Sequence, residues 1–307
     1  MVRRLNRVPG ATGALVRMRA DLLRIGRGMP DLEALDLDFR HLFASWFNRG
    51  FLVLRPINWE SPAHILEKII AYEAVHTIDS WDDLRRRLEP TDRRCFAFFH
   101  PSMPDEPLIF VEVALNKGIP GSVQRLLAQD RKALPEAEAD TAVFYSISNC
   151  QPGLASISFG NSLIKQVVSD LAAELTGLTT FVTLSPIPGL TKWLAHENHA
   201  WDCDQSGEMK ALAADYLLNA KAQDGLPVDP VARFHLGNGA EIYEVHANAN
   251  VTKKGLKQSS GVMVNYLYNL RNIEKNHEQF ISSGNIARSQ SVAQKVKKYQ
   301  TVLQKFI

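Results

Sequence analysis

Residues 141–189 read TAVFYSISNCQPGLASISFGNSLIKQVVSDLAAELTGLTTFVTLSPIPG, and they contain the clearest indication of the fold class. It predicts a strand over 141–147, an irregular loop over 151–160, a helix, and a second strand over 180–184. Within the helix, apolar residues recur at helical spacing from Leu163 to Leu175. A strand, a crossover helix and a second strand in this order are typical of a domain that mixes α-helices with a β-sheet.

Upstream of residue 92 the sequence favours helices. Residues 13–26 have helical spacing of apolar positions, and a second helix is predicted to begin at Asp36 or Asp38. Ser80 is a predicted N-cap, followed by Asp82 and Asp83 in the first helical turn. Strands and helices alternate only from about residue 95 onward. We therefore predict a mixed α+β fold, with a helical N-terminal domain (1–92) before an α/β domain (93–307).

Bulk composition limits the classes of function. The 307 residues are 45% hydrophobic and 22% charged, an ordinary globular balance, and the net charge of +2 gives no reason to expect nucleic acid as a partner. No apolar run reaches the roughly 18 residues that a membrane span requires. Three separated cysteines indicate free thiols in a reducing compartment, so we expect a cytoplasmic protein. The basic N-terminus could also be a transit peptide, but its apolar residues suit a packed helix.

The loop from Gln151 to Asn161 is a candidate phosphate-binding segment. It follows a strand and opens a helix, and its glycines (Gly153 and Gly160) allow backbone to approach a ligand closely. Free N–H groups at a helix N-terminus attract phosphate, and Lys165 adds positive charge one turn later. The pattern suits the pyrophosphate of CoA or of a nucleotide. A plain connection that contains glycine is the alternative.

Two further residues are candidates for chemistry. Ser185 ends a predicted strand inside a Ser-Pro-Ile-Pro-Gly turn, where two prolines fix its position. His235 stands between apolar neighbours, and histidine acts as a general acid or base near neutral pH. A structural turn and a hydrogen-bonded core histidine are the alternatives. Because 50 positions separate these residues, spacing alone does not pair them.

Weaker signals come from histidine and arginine clusters. His196 and His199 precede Cys203, a pattern conceivable for zinc but more typical of a polar loop. The run Arg85–Arg87 is usually a solvated face, although such a run also attracts phosphate groups.

Taken together, several segments resemble the malonyl-CoA decarboxylase family, over roughly residues 15–285. The matching segments include Trp46–Leu52, Leu66–Ile70, Tyr72–His76, Arg93–Pro101, Asp105–Leu115, Tyr145–Lys165, Leu184–Gly189, Phe234–Ala240 and Val264–Tyr268.

The resemblance implies a helical N-terminal domain, here shortened, and a catalytic domain like the N-acetyltransferases (GNAT-like). It implies that malonyl-CoA is converted to acetyl-CoA and CO2, within fatty acid or malonate metabolism. Neither a metal nor a cofactor apart from the CoA of the substrate is expected. A homo-oligomer that assembles through the helical domain is also implied.

The resemblance also assigns residues. Ser185, His235 and Tyr268 match the catalytic positions of the family. The CoA-binding turn corresponds to the loop at 151–161, and the residues expected to bind CoA are Gln151, Gly153, Gly160, Asn161 and Lys165.

Two stretches depart from the family pattern. The stretch from Trp193 to Tyr216 is short and polar, and residues 246–250 read HANAN where family members carry an Asn-Trp pair. A non-catalytic acyl-CoA-binding paralogue is therefore one alternative, against which the retention of Ser185 and His235 argues. A CoA-dependent acyltransferase is the other, and it would release free CoA only in the presence of an acceptor.

Overall fold

The computed structural model describes residues 5–6, 8, 10–26, 28–157, 161–197 and 206–303, apart from the side chains of 161–162 and 298–303. The chain forms two compact units. Unit 1 comprises Met1–Glu112 and Ser146–Asp170, and unit 2 comprises Val113–Tyr145 and Leu171–Ile307. The strands Ile109–Asn116 and Thr141–Asn149 contribute residues to both units. The domain boundary between residues 92 and 93 stays a prediction.

The helices of the described residues are α1 (Ala11–Ile25), α2 (Pro30–Trp46), α3 (Ala63–Tyr72), α4 (Trp81–Leu88), α5 (Val123–Leu126), α6 (Asn161–Glu174), α7 (Leu190–His196), α8 (Ser206–Asn219), α9 (Pro230–Gly237), α10 (Lys253–Ser259), α11 (Ile273–Ser283) and α12 (Gln290–Leu303). The strands are β1 (Val53–Ile57), β2 (Arg93–Phe99), β3 (Ile109–Asn116), β4 (Thr141–Asn149), β5 (Thr180–Thr183), β6 (Ser185–Pro186), β7 (Glu241–His246) and β8 (Met263–Leu267).

Unit 1 packs α3 and α4 on its part of the sheet. Strand β1 pairs antiparallel with β2, and the strand order continues to β3 and β4. The Ser80 hydroxyl accepts a hydrogen bond from the Asp83 N–H, which confirms the predicted cap of α4. Buried apolar side chains fill the space between these helices and the sheet: Ile57, Ile65, Leu66, Ile69, Leu84, Leu88, Phe99 and Phe110.

Unit 2 contains the paired strands that position the candidate site. Strand β5 pairs parallel with β4 and antiparallel with β8, while β6 and β7 also pair with β8. A β-bulge interrupts the β7–β8 ladder between Ile242 and Glu244. Both β5 and β6 pair with β8. Side chains at the end of β5, on β6 and along β8 therefore lie next to each other. The core here includes Val143, Val182, Leu184 and Met263.

The mixed α and β class predicted from residues 141–189 is confirmed. The predicted start of the second helix at Asp36 or Asp38 is wrong, because α2 begins at Pro30, with Asp31 and Glu33 in its first turn. Helix α9 was not predicted, although Asp229 and Pro230 are a recognisable start signal. No helix among the described residues is long and apolar enough to cross a membrane.

Candidate active site

Helix α9 carries His235 in its last turn. The Asp229 carboxylate caps the helix, since Oδ1 accepts hydrogen bonds from the N–H groups of Val231 (3.0 Å) and Ala232 (2.9 Å). Pro230 occupies the first helical position, where a missing N–H costs nothing. The imidazole is 2% exposed. The local sequence therefore fixes the start of a short helix, and the last turn of that helix places the His235 ring in the interior.

Ser185 lies beside His235. It forms the two-residue strand β6 with Pro186 and pairs with Val264 of β8. The Ser185 Oγ is 3.2 Å from His235 Nε2, and the serine is 6% exposed. The structure thus pairs two residues that sequence spacing could not connect.

Tyr268 completes the group. It follows β8, where its N–H donates to the Phe181 carbonyl oxygen (2.8 Å), and its hydroxyl is 2.8 Å from His235 Nδ1. The phenol is 1% exposed. The three residues that the resemblance assigns to catalysis therefore form one continuous hydrogen-bonded group in unit 2. Their catalytic role stays a prediction.

Burial sets the protonation of this group. Desolvation lowers the pKa of His235 to about 3, so its imidazole is neutral at physiological pH. The same cause raises the pKa of Tyr268 well above its usual value, which keeps the phenol protonated. A neutral imidazole donates through one nitrogen and accepts through the other, so the group contains no permanent charge.

Sequence reasoning missed two residues that contact the group. The Ser185 hydroxyl donates to Thr183 Oγ1 (2.9 Å), and the Tyr266 N–H donates to the same oxygen (3.1 Å). The Tyr266 ring stacks on the His235 ring, with centroids 4.5 Å apart. The one indication of these residues in the sequence is their position, since Thr183 precedes Ser185 by two residues and Tyr266 precedes Tyr268 by two.

Sequence reasoning also missed Tyr216 and Asp229, which lie next to Gly189 at the end of the Ser185 turn. A Cβ atom on Gly189 would lie 2.2 Å from the Tyr216 hydroxyl oxygen and 3.7 Å from Asp229 Oδ2. A larger residue at the end of the Ser-Pro-Ile-Pro-Gly turn would therefore have to displace the buried Tyr216 side chain. Burial raises the pKa of Asp229, while N–H groups at Ala232, Gly189 and Val231 oppose that rise.

The loop predicted to bind CoA lies in unit 1. The Gln151 side chain donates to the Pro107 carbonyl oxygen (3.0 Å), and Lys165 is half-buried on α6. Gly153 is buried against α1, where a Cβ atom would lie 1.8 Å from the Val16 carbonyl oxygen. Close helix packing thus accounts for this glycine, whether or not CoA binds nearby. The CoA contacts stay predictions.

Two of the residues expected to bind CoA lie at or beyond the edge of the described residues. Gly160 lies outside the described residues, and Asn161 begins α6 with its side chain not described. From the same helix α1, Arg19 donates to the carbonyl oxygens of Gly153 (2.8 Å) and Ala155 (2.9 Å). A buried arginine therefore fixes the start of the loop.

The weaker signals have ordinary explanations where they are described. His196 is exposed and lies 3.1 Å from Glu197, while His199 and Cys203 fall outside the described residues. In the arginine run, Arg85 pairs with Glu89 on the surface of α4. Arg87 is instead buried and pairs with Asp83 (2.9 Å).

The divergent stretch at 246–250 is connected to Thr183 through Asn265. His246 Nε2 makes a short hydrogen bond to Asn265 Oδ1, and Asn265 Nδ2 donates to the Thr183 carbonyl oxygen (2.7 Å). Asn250 Oδ1 accepts from the Thr252 hydroxyl (2.8 Å). The substituted residues are thus integrated in local hydrogen bonds.

Comparison with known family models gives a consistent result along the chain. A model described as the malonyl-CoA decarboxylase C-terminal domain matches residues 50–206 and 197–305. A model described as the malonyl-CoA decarboxylase N-terminal domain matches residues 1–47. The two C-terminal matches overlap within the stretch between Trp193 and Tyr216 that the sequence marks as short.

Individual proteins agree with the family models. The mitochondrial malonyl-CoA decarboxylase of Anser anser anser is 32% identical over 348 residues, which cover 96% of this chain and 68% of that protein. The crystal structure of malonyl-CoA decarboxylase from Rhodopseudomonas palustris is 51% identical, with a TM-score of 0.89 over 95% of this chain and 77% of that one. The Agrobacterium vitis structure is 49% identical, with a TM-score of 0.90 over 96% and 78%.

A more distant structure has a similar fold. The loading GNATL domain of CurA from Lyngbya majuscula has a TM-score of 0.50 at 16% identity and covers 73% of this chain and 99% of its own. At that identity the likeness shows the GNAT-like fold alone.

Proposed function

The chain belongs to the malonyl-CoA decarboxylase family, and from this premise we propose that it converts malonyl-CoA to acetyl-CoA and CO2. The observation that carries the proposal is the buried hydrogen-bonded group of Ser185, His235 and Tyr268. This group combines a hydroxyl, a neutral imidazole and a phenol. Each of them can take part in proton transfer, and none of them is charged in the resting protein.

The proposed reaction has two events. The bond between the α-carbon and the carboxylate carbon breaks, and its electron pair enters the thioester carbonyl as an enolate while CO2 leaves. One proton then adds to the α-carbon, so each turnover consumes one proton. Stabilising the developing enolate oxygen requires fixed hydrogen-bond donors, each commonly worth about 3–4 kcal/mol.

In the proposed reaction, Ser185 and His235 orient the substrate and supply the proton. One orients the carboxylate of the substrate, and the other donates the proton, which solvent then replaces. A neutral histidine is suited to hydrogen bonding with a developing oxyanion, because it donates without competing charge. The thioester carbonyl is itself the electron sink. We therefore propose that the reaction uses neither a metal nor a cofactor apart from the CoA of the substrate, unlike decarboxylations that depend on pyridoxal phosphate or thiamin diphosphate.

Substitution of the two central residues tests the proposal. We expect Ser185→Ala and His235→Gln each to lower turnover of malonyl-CoA by about 10²- to 10⁴-fold, the range typical of general acid–base groups, with CoA binding retained. His196→Gln is a matched control, since its ring is exposed on α7. Near-normal turnover in both site variants would contradict the assignment.

The same assay separates the rival functions. An acyltransferase would form free CoA, and only when an amine or alcohol acceptor is present. A non-catalytic paralogue would bind malonyl-CoA saturably and return it unchanged.

The proposal extends to location and assembly. A cytoplasmic location is supported by the free buried thiols of Cys95 and Cys150, as expected in a reducing compartment. Self-association through the N-terminal helices is supported by exposed apolar side chains there, including Met18 (42% exposed) and Leu37 (52% exposed). Sedimentation as a monomer at micromolar concentration would contradict the proposed self-association.

A further inference from the structure

Four buried side chains of unit 2 form an unbranched hydrogen-bonded chain. It runs from the Tyr268 hydroxyl to His235 Nδ1 (2.8 Å), from His235 Nε2 to Ser185 Oγ (3.2 Å), and from Ser185 Oγ to Thr183 Oγ1 (2.9 Å). None of the four residues is more than 6% exposed. Such a chain has a direction, because each link has one donor and one acceptor.

The direction follows from the Thr183 end. The Ser185 hydroxyl donates to Thr183 Oγ1, so toward the ring Ser185 Oγ acts as an acceptor. The hydrogen of the neutral imidazole then lies on Nε2, which donates to Ser185 Oγ. His235 Nδ1 is therefore left to accept from the Tyr268 O–H.

The position of Thr183 Oγ1 is well defined. Thr183 is the last residue of β5 and is fully buried. Its Oγ1 also accepts from the Tyr266 N–H (3.1 Å), and its carbonyl oxygen accepts from Asn265 Nδ2 (2.7 Å). Branching at Cβ further restricts the χ1 rotamer of a threonine. The end of the chain is thus fixed to the backbone of two neighbouring strands.

We propose that Thr183 is a positioning residue: by accepting the Ser185 hydroxyl hydrogen it keeps the hydrogen of the His235 ring on Nε2, facing Ser185. The catalytic meaning of this arrangement rests on the proposed function, whereas the arrangement itself is a property of the resting protein. Thr183 acts through Ser185 and has no role in the bond changes.

Thr183→Val tests the proposal, because it keeps the shape of the side chain and removes the acceptor. Without that acceptor the Ser185 hydroxyl turns to donate to Nε2, and the ring hydrogen moves to Nδ1 to donate to the Tyr268 oxygen. Nitrogen-15 NMR of protein labelled at histidine distinguishes the two tautomers. The signals of His235, one of nine histidines, are those missing from His235→Gln protein.

The expected result is an Nε2–H tautomer in the parent and in Thr183→Ser, and an Nδ1–H tautomer in Thr183→Val. Turnover should fall about tenfold in Thr183→Val, the ordinary effect of one positioned hydrogen bond, with KM unchanged and recovery in Thr183→Ser. If Thr183→Val fails to fold, Thr183→Ala removes the same acceptor with a smaller side chain and makes the same test.

The same tautomer in parent and in the valine or alanine variant would overturn the proposal. The tautomer measurement needs no activity. A shifted tautomer in a protein that leaves malonyl-CoA intact would therefore support the role of Thr183 in orientation while refuting the proposed function.

Discussion

Tyr268→Phe removes a single oxygen from the candidate site. The lost hydroxyl makes a 2.8 Å hydrogen bond to His235 Nδ1, with both residues at least 98% buried. A buried acceptor deprived of its partner costs about 1–3 kcal/mol. Because each 1.4 kcal/mol changes a rate about tenfold, we expect kcat to fall about 10- to 100-fold if that cost falls on the reacting geometry.

Tyr266→Phe is the matched control. Tyr266 lies in β8 and Tyr268 directly follows it, and both rings lie near His235, but the Tyr266 hydroxyl has no hydrogen-bond partner among the described residues. Its ring, which stacks on His235 at 4.5 Å between centroids, is kept in phenylalanine. We therefore expect turnover within about twofold of the parent and no loss of stability, since no hydrogen bond is removed.

Steady-state decarboxylation of malonyl-CoA, followed by acetyl-CoA formation, compares the two variants. Far-UV circular dichroism and urea unfolding verify that both fold. An equal loss of activity in both variants would refute the reasoning, because it would indicate ring packing and not the hydrogen bond to Nδ1. Full activity of Tyr268→Phe would refute it as well.

Further expectations concern stability. Asp229→Ala should lower the free energy of unfolding by about 1–2 kcal/mol through loss of the α9 cap, and Asp229→Asn, which keeps Oδ1, should largely restore it. Arg19→Gln should cost about 3 kcal/mol in urea unfolding, since it breaks a buried pair and frees the carbonyl oxygen of Gly153. In the unfolded chain His235 binds a proton below its usual pKa of 6.5, whereas burial lowers its pKa in the folded protein to about 3. The free energy of unfolding therefore decreases as pH falls from 6.5 to 3, by up to about 1.4 kcal/mol per pH unit. His235→Gln should remove this pH dependence. Glu112 has the opposite sign, because burial raises its folded pKa from 4.5 to about 8; stability falls as pH rises between these values, and Glu112→Gln should be more stable than the parent at pH 8 but not at pH 5.

Local patterns in the sequence predicted much of the fold. The cap at Ser80 and the helix after it depend on residues within one turn, so they were predicted correctly. The start of α2 was placed too late because the first acidic residue considered as a cap was Asp36, while Pro30 at the first helical position is the stronger signal. Helix α9 spans only eight residues and lacks a long apolar stripe, which is why periodicity did not reveal it.

The candidate site depended on long-range packing. Ser185, His235 and Tyr268 could be proposed individually from a family resemblance, but residue spacing contains no information on the distances between them. Their proximity results from β6 and β8 pairing at Ser185 and Val264, and from the cap that orients α9. Thr183 has no distinctive chemistry in the sequence, so its contact with Ser185 became visible only in three dimensions.

The most direct test of the central claim is a product analysis. Purified protein is incubated with malonyl-CoA, and the products of the parent, Ser185→Ala and His235→Gln are compared by mass spectrometry. We expect acetyl-CoA and CO2 in equal amounts from the parent, with both products strongly reduced in the two variants. Malonyl-CoA that remains intact with the folded parent, or acetyl-CoA formed equally by all three proteins, would contradict it.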